Sequence, residues 1–169
     1  MKNLLYAALT AAAVISCGPT YTSPVSTPGS ETDYSMSFIR NVTATLDKNE
    51  NVVVSPYSAG VALSMLAEGA EGQTKAEFNK ALNDCLFASE DLGGNDTVIV
   101  NSVNSLWVDD NFSVRNRYVS LMQKDFDALV YTLDFADPAT LKAINNWCSE
   151  HTNGKITEIL DRLSPGNVM

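Results

Sequence analysis

Cysteine and histidine are scarce in this sequence, and their spacing argues against a metal centre. The 169 residues include one histidine, His151, and three cysteines that lie far apart at Cys17, Cys85 and Cys148. A structural zinc site takes four such ligands, which usually come in closely spaced pairs. Cys148 and His151 form one pair, but the sequence offers no second pair. We therefore expect no metal and no other cofactor.

The same scarcity limits catalysis. Any Ser-His-Asp triad would have to use His151, because there is no other histidine. His151 falls on the apolar stripe of a predicted helix, which favours a structural role over a place in such a triad. We predict free, buried thiols at Cys85 and Cys148, and a disulfide between them stays open as an alternative in an oxidising compartment.

Basic side chains are also few. The chain has 11 Lys and Arg against 20 Asp and Glu, for a formal net charge of −9. An acidic surface repels phosphate backbones and anionic lipid heads, so a nucleic-acid partner is not expected. With 45% hydrophobic and 18% charged residues, the composition is that of a globular protein with one hydrophobic core.

The N-terminal residues are typical of an export signal. Lys2 precedes an uncharged apolar run over Leu4 to Ile15, which is too short to span a bilayer as a helix. The run ends in Ser16-Cys17, which resembles a bacterial lipobox, so we predict that Cys17 is lipidated and becomes the mature N-terminus. A plain signal peptide that happens to contain a cysteine is the alternative.

This interpretation predicts an exported protein with three parts. Residues 1–16 are the signal peptide, residues 17–30, rich in Pro, Ser, Thr and Gly, are a lipid-anchored flexible tether, and residues 31–169 are the folded part. We expect anchorage in a bacterial cell envelope, on its periplasmic or surface face, or an extracellular location. The membrane is then a partner through the lipid on Cys17.

Helical patterns dominate the first part of the folded region. Ser30 with Asp33 predicts a capped amphipathic helix, and Val52 to Val54 predicts a short buried strand. Ser55-Pro56 predicts the start of a helix that runs through Glu68, is apolar around most of its circumference, and therefore lies at the centre of the molecule. Thr74 with Glu77 predicts the capped start of a short helix that ends near Leu82.

The second part alternates between strand and helix. The patterns predict a long strand over Thr97 to Val108, a helix capped by Ser113, and a strand over Val130 to Phe135. Asp137-Pro138 predicts a further helix that stops at Asn153-Gly154, followed by a weak helical pattern from Ile156 to Leu163. The helix after Ser113 is expected to have Val114, Tyr118, Leu121, Met122 and Leu129 on its inner side.

Three blocks, in this order, resemble the N-terminal half of the serpin family, the protease inhibitors that trap their targets. Their order and spacing run from residue 31 to about residue 163. The matching residues are Asn51, Ser55, Pro56, Ser58, Ala62, Leu63, Met65, Gly69, Ala70, Gly72 and Thr74, then Asn104 to Val108 with Phe112, then Asp134, Phe135, Ile144, Asn145, Trp147, Thr152, Gly154, Lys155 and Ile156.

The resemblance implies a fold and a mechanism. The fold is an incomplete serpin-like α+β portion, in which several helices pack on strands of a large mixed sheet. In the mechanism, a protease cleaves an exposed reactive loop, which then inserts into the sheet as a new strand and distorts the acylated protease. The implied partner is a serine endopeptidase, with cysteine endopeptidases as a second class, and the mechanism implies an inhibitor that is consumed and not an enzyme.

Residue roles follow from the resemblance in the same way. Ser55 and Ser58 match two serines of the shutter, the polar region beneath the centre of the sheet that parts when the sheet opens. Local chemistry alone explains Ser55 as a helix cap. Structural positions of the family motif are matched by Asn104, Asn145, Trp147, Thr152, Gly154 and Lys155.

Two departures from the family pattern limit which properties of the family can be expected of this chain. A short acidic segment around Gly93-Gly94 stands where heparin-dependent members have a basic helix, so heparin is not expected as a partner. The remaining sheet strands and the reactive-site bond are expected beyond residue 169, so this chain alone is expected to lack inhibitory activity and stability. A non-inhibitory binding or chaperone module and a structural envelope lipoprotein are the alternatives.

Overall fold

The structure, a computed structural model, describes residues 29–46, 51–90, 93 and 97–164. The predicted signal peptide and the anchor residue Cys17 lie outside these residues. Contacts divide the chain into two units: the described residues 29–89 form what we call the helical unit, and those from 90 to 164 form the mixed unit. None of the described helices has the length and hydrophobicity needed to cross a membrane.

The helical unit contains α1 (Glu31–Ala44), α2 (Pro56–Gly69) and α3 (Gly72–Ala81). Two predicted helix starts are confirmed. The Ser30 hydroxyl accepts the N–H of Asp33 at 3.0 Å, and the Ser55 hydroxyl accepts the N–H of Ser58 at 3.2 Å. Each serine satisfies one backbone donor that has no partner inside the helix.

Helix α2 packs against both α1 and α3. Val61, Met65 and Ala67 are buried, whereas Ala62 on the opposite side is exposed. The expectation that α2 is enclosed on all sides therefore holds for one face only within the helical unit.

Two predictions for the helical unit are wrong. Helix α3 starts at Gly72, so Thr74 lies inside the helix and is not its N-cap, and Glu77 Oε1 accepts from Gln73 Nε2 at 3.0 Å. The segment 52–54 is not a strand, and Val53 is 99% exposed. A strand needs a hydrogen-bonding neighbour, and the described residues place none beside it.

The mixed unit contains β1 (Asn104–Asp109), α4 (Asn116–Asp125), β2 (Ala128–Leu133) and α5 (Pro138–His151). The two strands pair in parallel, with Asn104 opposite Ala128 and Asp109 opposite Leu133. Helix α4 connects them and packs on β2. The start of α5 is confirmed, because Asp137 Oδ1 accepts the N–H of Ala139 at 2.8 Å and Pro138 occupies the first turn.

The strands are shorter than predicted. Residues 97–103 are not in a strand, and Ile99 is 82% exposed, because only residues from 104 onward face β2. Strand β2 begins at Ala128 and ends at Leu133, whereas the prediction was Val130 to Phe135. Leu129, expected on the inner side of the preceding helix, lies in this strand and is 47% exposed.

Two helix predictions in the mixed unit are wrong as well. Helix α4 has Arg115 at its N-cap without a side-chain cap, so Ser113 does not begin it. Residues 156–163 form no helix. The N–H groups of Ile156, Ile159 and Leu160 bond to side-chain oxygens instead of to carbonyls one turn back.

The α+β class is confirmed. The described residues hold five helices and one parallel two-stranded sheet. Further strands of the larger mixed sheet implied by the family resemblance are not among the described residues.

Candidate functional site

Ser55 and Ser58 meet at the start of α2. Their hydroxyl oxygens lie 2.9 Å apart, and Ser55 also accepts the N–H of Ser58. Both residues are exposed, and the described part of the helical unit contains no strand that covers them. The pair has one free hydroxyl proton to redirect, so it can form hydrogen bonds to a further element laid over it.

Phe87 is a contact residue that the sequence analysis missed. Its N–H donates to the buried Ser64 hydroxyl at 2.9 Å, and its ring lies edge-on to Tyr34 and Tyr57. A Cβ at Gly60 would stand 2.6 Å from two ring carbons of Phe87, so only glycine fits there without movement. The sequence signal that could have indicated this close approach is the pair of small residues Gly60 and Ser64, which lie one helical turn apart.

Asn104 connects β1 to the end of α4. Its Nδ2 donates to the carbonyl of Phe126 at 2.8 Å, directly after the last turn of that helix. The contact fixes where the chain leaves α4 and enters β2, and therefore supports the parallel register.

Asn145 holds the segment that follows α5. Its Nδ2 donates to the carbonyl of Leu160 at 2.8 Å, and its Oδ1 accepts the N–H groups of Ile159 and Leu160 at 2.9 and 3.0 Å. One half-buried amide thus satisfies three backbone groups of a segment without regular secondary structure. We call residues 155–164 the strap.

Thr152, Gly154 and Lys155 form the end of α5 and the start of the strap. The Thr152 hydroxyl donates to the carbonyl of Cys148 at 2.8 Å and accepts the N–H of Ile156 at 3.1 Å. Asn153 and Gly154 have φ values of 52° and 72°, and the N–H of Gly154 donates to the carbonyl of Ser149 at 2.7 Å. This left-handed ending satisfies carbonyls of the last helical turn.

Trp147 lies in a row of aromatic rings in the mixed unit. It meets Trp107 edge-on at 6.0 Å and stacks on His151 at 4.2 Å, and Trp107 stacks on Tyr131 of β2 at 4.3 Å. His151 Nδ1 is 2.8 Å from the carbonyl of Trp147. The sole histidine is therefore engaged in packing and capping, as its position on the apolar stripe predicted. Within the described residues, the buried Nε1 of Trp147 has no hydrogen-bond partner.

Cys85 and Cys148 are free and buried. Burial raises the pKa of both thiols, and the nearby Glu31 carboxylate raises that of Cys85 further. A raised pKa keeps the thiol protonated near neutral pH, which disfavours a nucleophilic or metal-binding role.

Three carboxylates that sequence spacing did not bring together meet at the end of β1. Oxygens of Asp109, Asp110 and Asp134 lie within 4.8 Å of one another. The Oδ2 of Asp109 accepts the N–H of Phe135 at 3.0 Å, and its Oδ1 accepts the N–H of Asn111 at 2.9 Å. These two donors hold the pKa of the Asp109 carboxyl below its ordinary value of 3.8.

Comparison with known proteins identifies the family of this chain. The model of the family described as Serpin (serine protease inhibitor) matches residues 30–169. The chain belongs to the serpin family. An uncharacterised serpin-like protein of Thermococcus kodakarensis is 34% identical over 131 residues, which cover 69% of this chain and 31% of that protein.

Two further proteins similar to this chain are also serpins. Serpin-ZX of Arabidopsis thaliana is 31% identical over 144 residues, covering 75% of this chain and 36% of the plant protein. The native state of tengpin, a thermophilic serpin, superimposes with a TM-score of 0.72 at 30% identity and covers 82% of this chain and 38% of tengpin. The chain thus spans about a third of the length of the serpins it matches.

Proposed function

We propose that this chain is the N-terminal part of a serpin that inhibits serine endopeptidases by a suicide mechanism, with cysteine endopeptidases as a second target class. The observation that carries the proposal is the serpin match over residues 30–169. In this mechanism the protease nucleophile attacks the scissile carbonyl of the reactive loop and expels the new amine, which leaves an acyl-enzyme. Insertion of the cleaved loop into the sheet then traps the acyl-enzyme before water can hydrolyse it.

The protein acts here as a consumed substrate and not as a catalyst. The reactive-site bond is proposed to lie in the segment that follows the matched residues in the family. On this proposal the present chain alone inhibits nothing, and it contributes parts that support the sheet.

Ser55 and Ser58 are the proposed shutter residues of this chain. The 2.9 Å hydroxyl contact supports the role, because two hydroxyls already in contact can exchange partners when a sheet above them opens. Six further residues are proposed as structural supports of the sheet region, since each contributes a hydrogen bond or ring contact that fixes β1, α5 or the strap. They are Asn104, Asn145, Trp147, Thr152, Gly154 and Lys155.

We further propose that the mature protein is an envelope lipoprotein anchored through Cys17, on the periplasmic or surface face. The support is the apolar run that ends in Ser16-Cys17 and the Pro, Ser, Thr and Gly content of residues 17–30. Radiolabelled palmitate should label the native protein but not a Cys17→Ala variant. Labelling of both proteins would contradict the anchor at this residue.

Heat stability of the full-length protein before and after reactive-loop cleavage tests the inhibitory proposal. Loop insertion adds a central strand to the sheet, so the cleaved protein should unfold at a clearly higher temperature. An unchanged unfolding temperature would favour the alternative, a non-inhibitory serpin that acts as a binding or chaperone module. A structural role in the envelope is the weaker alternative, because it leaves the serpin fold unexplained.

A further inference from the structure

The turn that ends α5 contains the sequence's one Asn-Gly pair, Asn153-Gly154. In such a pair the backbone nitrogen of the following residue can attack the asparagine Cγ, because glycine has no side chain to hinder the approach. A bond forms from that nitrogen to Cγ, the Cγ–Nδ2 bond breaks, and ammonia leaves with the displaced proton. Water then opens the resulting succinimide to aspartate or isoaspartate, so the reaction needs no other reagent.

The folded turn restrains this reaction. The attacking nitrogen belongs to Gly154, and its N–H is engaged with the carbonyl of Ser149 at 2.7 Å. Asn153 itself is exposed and held in the left-handed region at φ 52°. Water therefore reaches the amide, whereas the nucleophile becomes available only when the last turn of α5 opens.

We propose that Asn153-Gly154 is a self-modification site gated by the opening of the C-terminal end of α5. Each opening exposes the nucleophile, and each completed reaction makes the opening harder to reverse. The inference does not depend on protease inhibition, because it uses only the chemistry and geometry of this turn.

The product weakens the helix end for two reasons. A new carboxylate at residue 153 lies beside the partly negative carbonyl end of α5, which is an unfavourable position for an anion. Isoaspartate also adds one methylene to the backbone, so the N–H of Gly154 no longer meets the carbonyl of Ser149 in the same turn. The bonds of Thr152 to Cys148 and Ile156, together with those of Asn145 to Ile159 and Leu160, then remain as links between α5 and the strap.

The direct test compares the full-length protein in native buffer and in concentrated urea at neutral pH. Conversion of Asn153 is followed by peptide mass spectrometry, and isoaspartate by enzymatic methylation. We expect conversion to be slower in the native protein by about tenfold or more, because the turn must open locally before reaction. Equal rates in the two solvents would overturn the gating.

A pair of variants locates the gate. Thr152→Val removes the hydroxyl and its bonds to Cys148 and Ile156, and we expect it to speed native-state conversion by about threefold or more. Thr132→Val changes an exposed threonine of β2 and serves as the matched control, with no change in rate. No acceleration in Thr152→Val, with an unchanged circular dichroism spectrum, would overturn the proposal.

A third measurement tests the consequence. Asn153→Gly keeps a residue that tolerates positive φ but has no side-chain amide to react. After equal ageing, amide exchange over residues 149–155 should rise in the native sequence and stay constant in Asn153→Gly. Equal rises in both proteins would show that the modification does not loosen the helix.

Discussion

Asn145 and Leu160 are joined by two hydrogen bonds that run in opposite directions. The Nδ2 of Asn145 donates to the carbonyl of Leu160 at 2.8 Å, and its Oδ1 accepts the N–H of the same residue at 3.0 Å. A third bond, from the N–H of Ile159, reaches the same oxygen. One side chain of α5 therefore replaces the backbone bonds that a helix would give the strap.

Replacing this amide should release the strap. Asn145→Ala removes all three bonds, and at roughly 1 kcal/mol each, reduced by partial exposure to water, we expect a loss of about 2 kcal/mol in the free energy of unfolding. Amide exchange at Ile159 and Leu160 should rise first. Asn146→Ala, at the exposed neighbouring position, is the control and should leave both quantities nearly unchanged. Unchanged exchange in Asn145→Ala would contradict the assigned contact.

Gly60→Ala tests the contact between α2 and Phe87. Helix propensity alone would make this change stabilising by about 1 kcal/mol. The added Cβ would stand 2.6 Å from the Phe87 ring, so we expect a destabilisation of about 1–3 kcal/mol instead.

The Gly60→Ala/Phe87→Leu double variant separates steric overlap from other causes. A smaller side chain at residue 87 should recover part of the lost stability, and denaturant titration of the four proteins in the cycle measures this coupling. Strictly additive losses would show that the two residues do not meet as described.

Acid should weaken the end of β1 through Asp109. Its pKa lies below the ordinary value of 3.8 in the folded protein because the N–H groups of Phe135 and Asn111 stabilise the carboxylate. The stabilisation is therefore present above pH 3.8 and is lost as the pH falls through the lower, folded-state pKa.

The free energy of unfolding measured against pH tests this expectation. Asp109→Asn should flatten the acid side of the curve, and Asp110→Asn, which leaves both backbone bonds in place, should preserve it. If the free energy of unfolding falls equally steeply with decreasing pH in Asp109→Asn and in the native sequence, the role assigned to Asp109 is contradicted.

Replacing Ser55 and Ser58 with alanine should lower the free energy of unfolding by different amounts. Ser55→Ala removes the cap of α2 and should cost about 1 kcal/mol, whereas Ser58→Ala leaves that cap in place and should cost less. In the full-length serpin, a shutter role predicts that Ser58→Ala also changes the rate of loop insertion. Loss of stability without any change in insertion rate would reduce the pair to a helix cap.

Local sequence signals predicted the features that local chemistry determines. Ser30, Ser55 and Asp137 cap their helices as predicted, and Asn153-Gly154 ends α5. Each of these features depends on hydrogen bonds between residues close together in the sequence, so a short window was sufficient to predict it.

Features that depend on distant partners were not predictable in the same way. The apolar segments 52–54 and 97–103 have strand composition but no described neighbouring strand, and the helical pattern of 156–163 was overridden by Asn145 and Thr152. Phe87 lies between the predicted helix that ends near Leu82 and the predicted strand that begins at Thr97, and only the fold showed that it packs on Gly60.

The most direct test of the central proposal is electrophoresis of the full-length protein after incubation with serine endopeptidases of different specificity. A suicide inhibitor should give, with at least one protease, a 1:1 covalent complex that survives boiling in SDS and disappears when the protease nucleophile is mutated. Complete cleavage of the serpin by every protease, with no complex and full protease activity retained, would contradict inhibition and leave the non-inhibitory alternative.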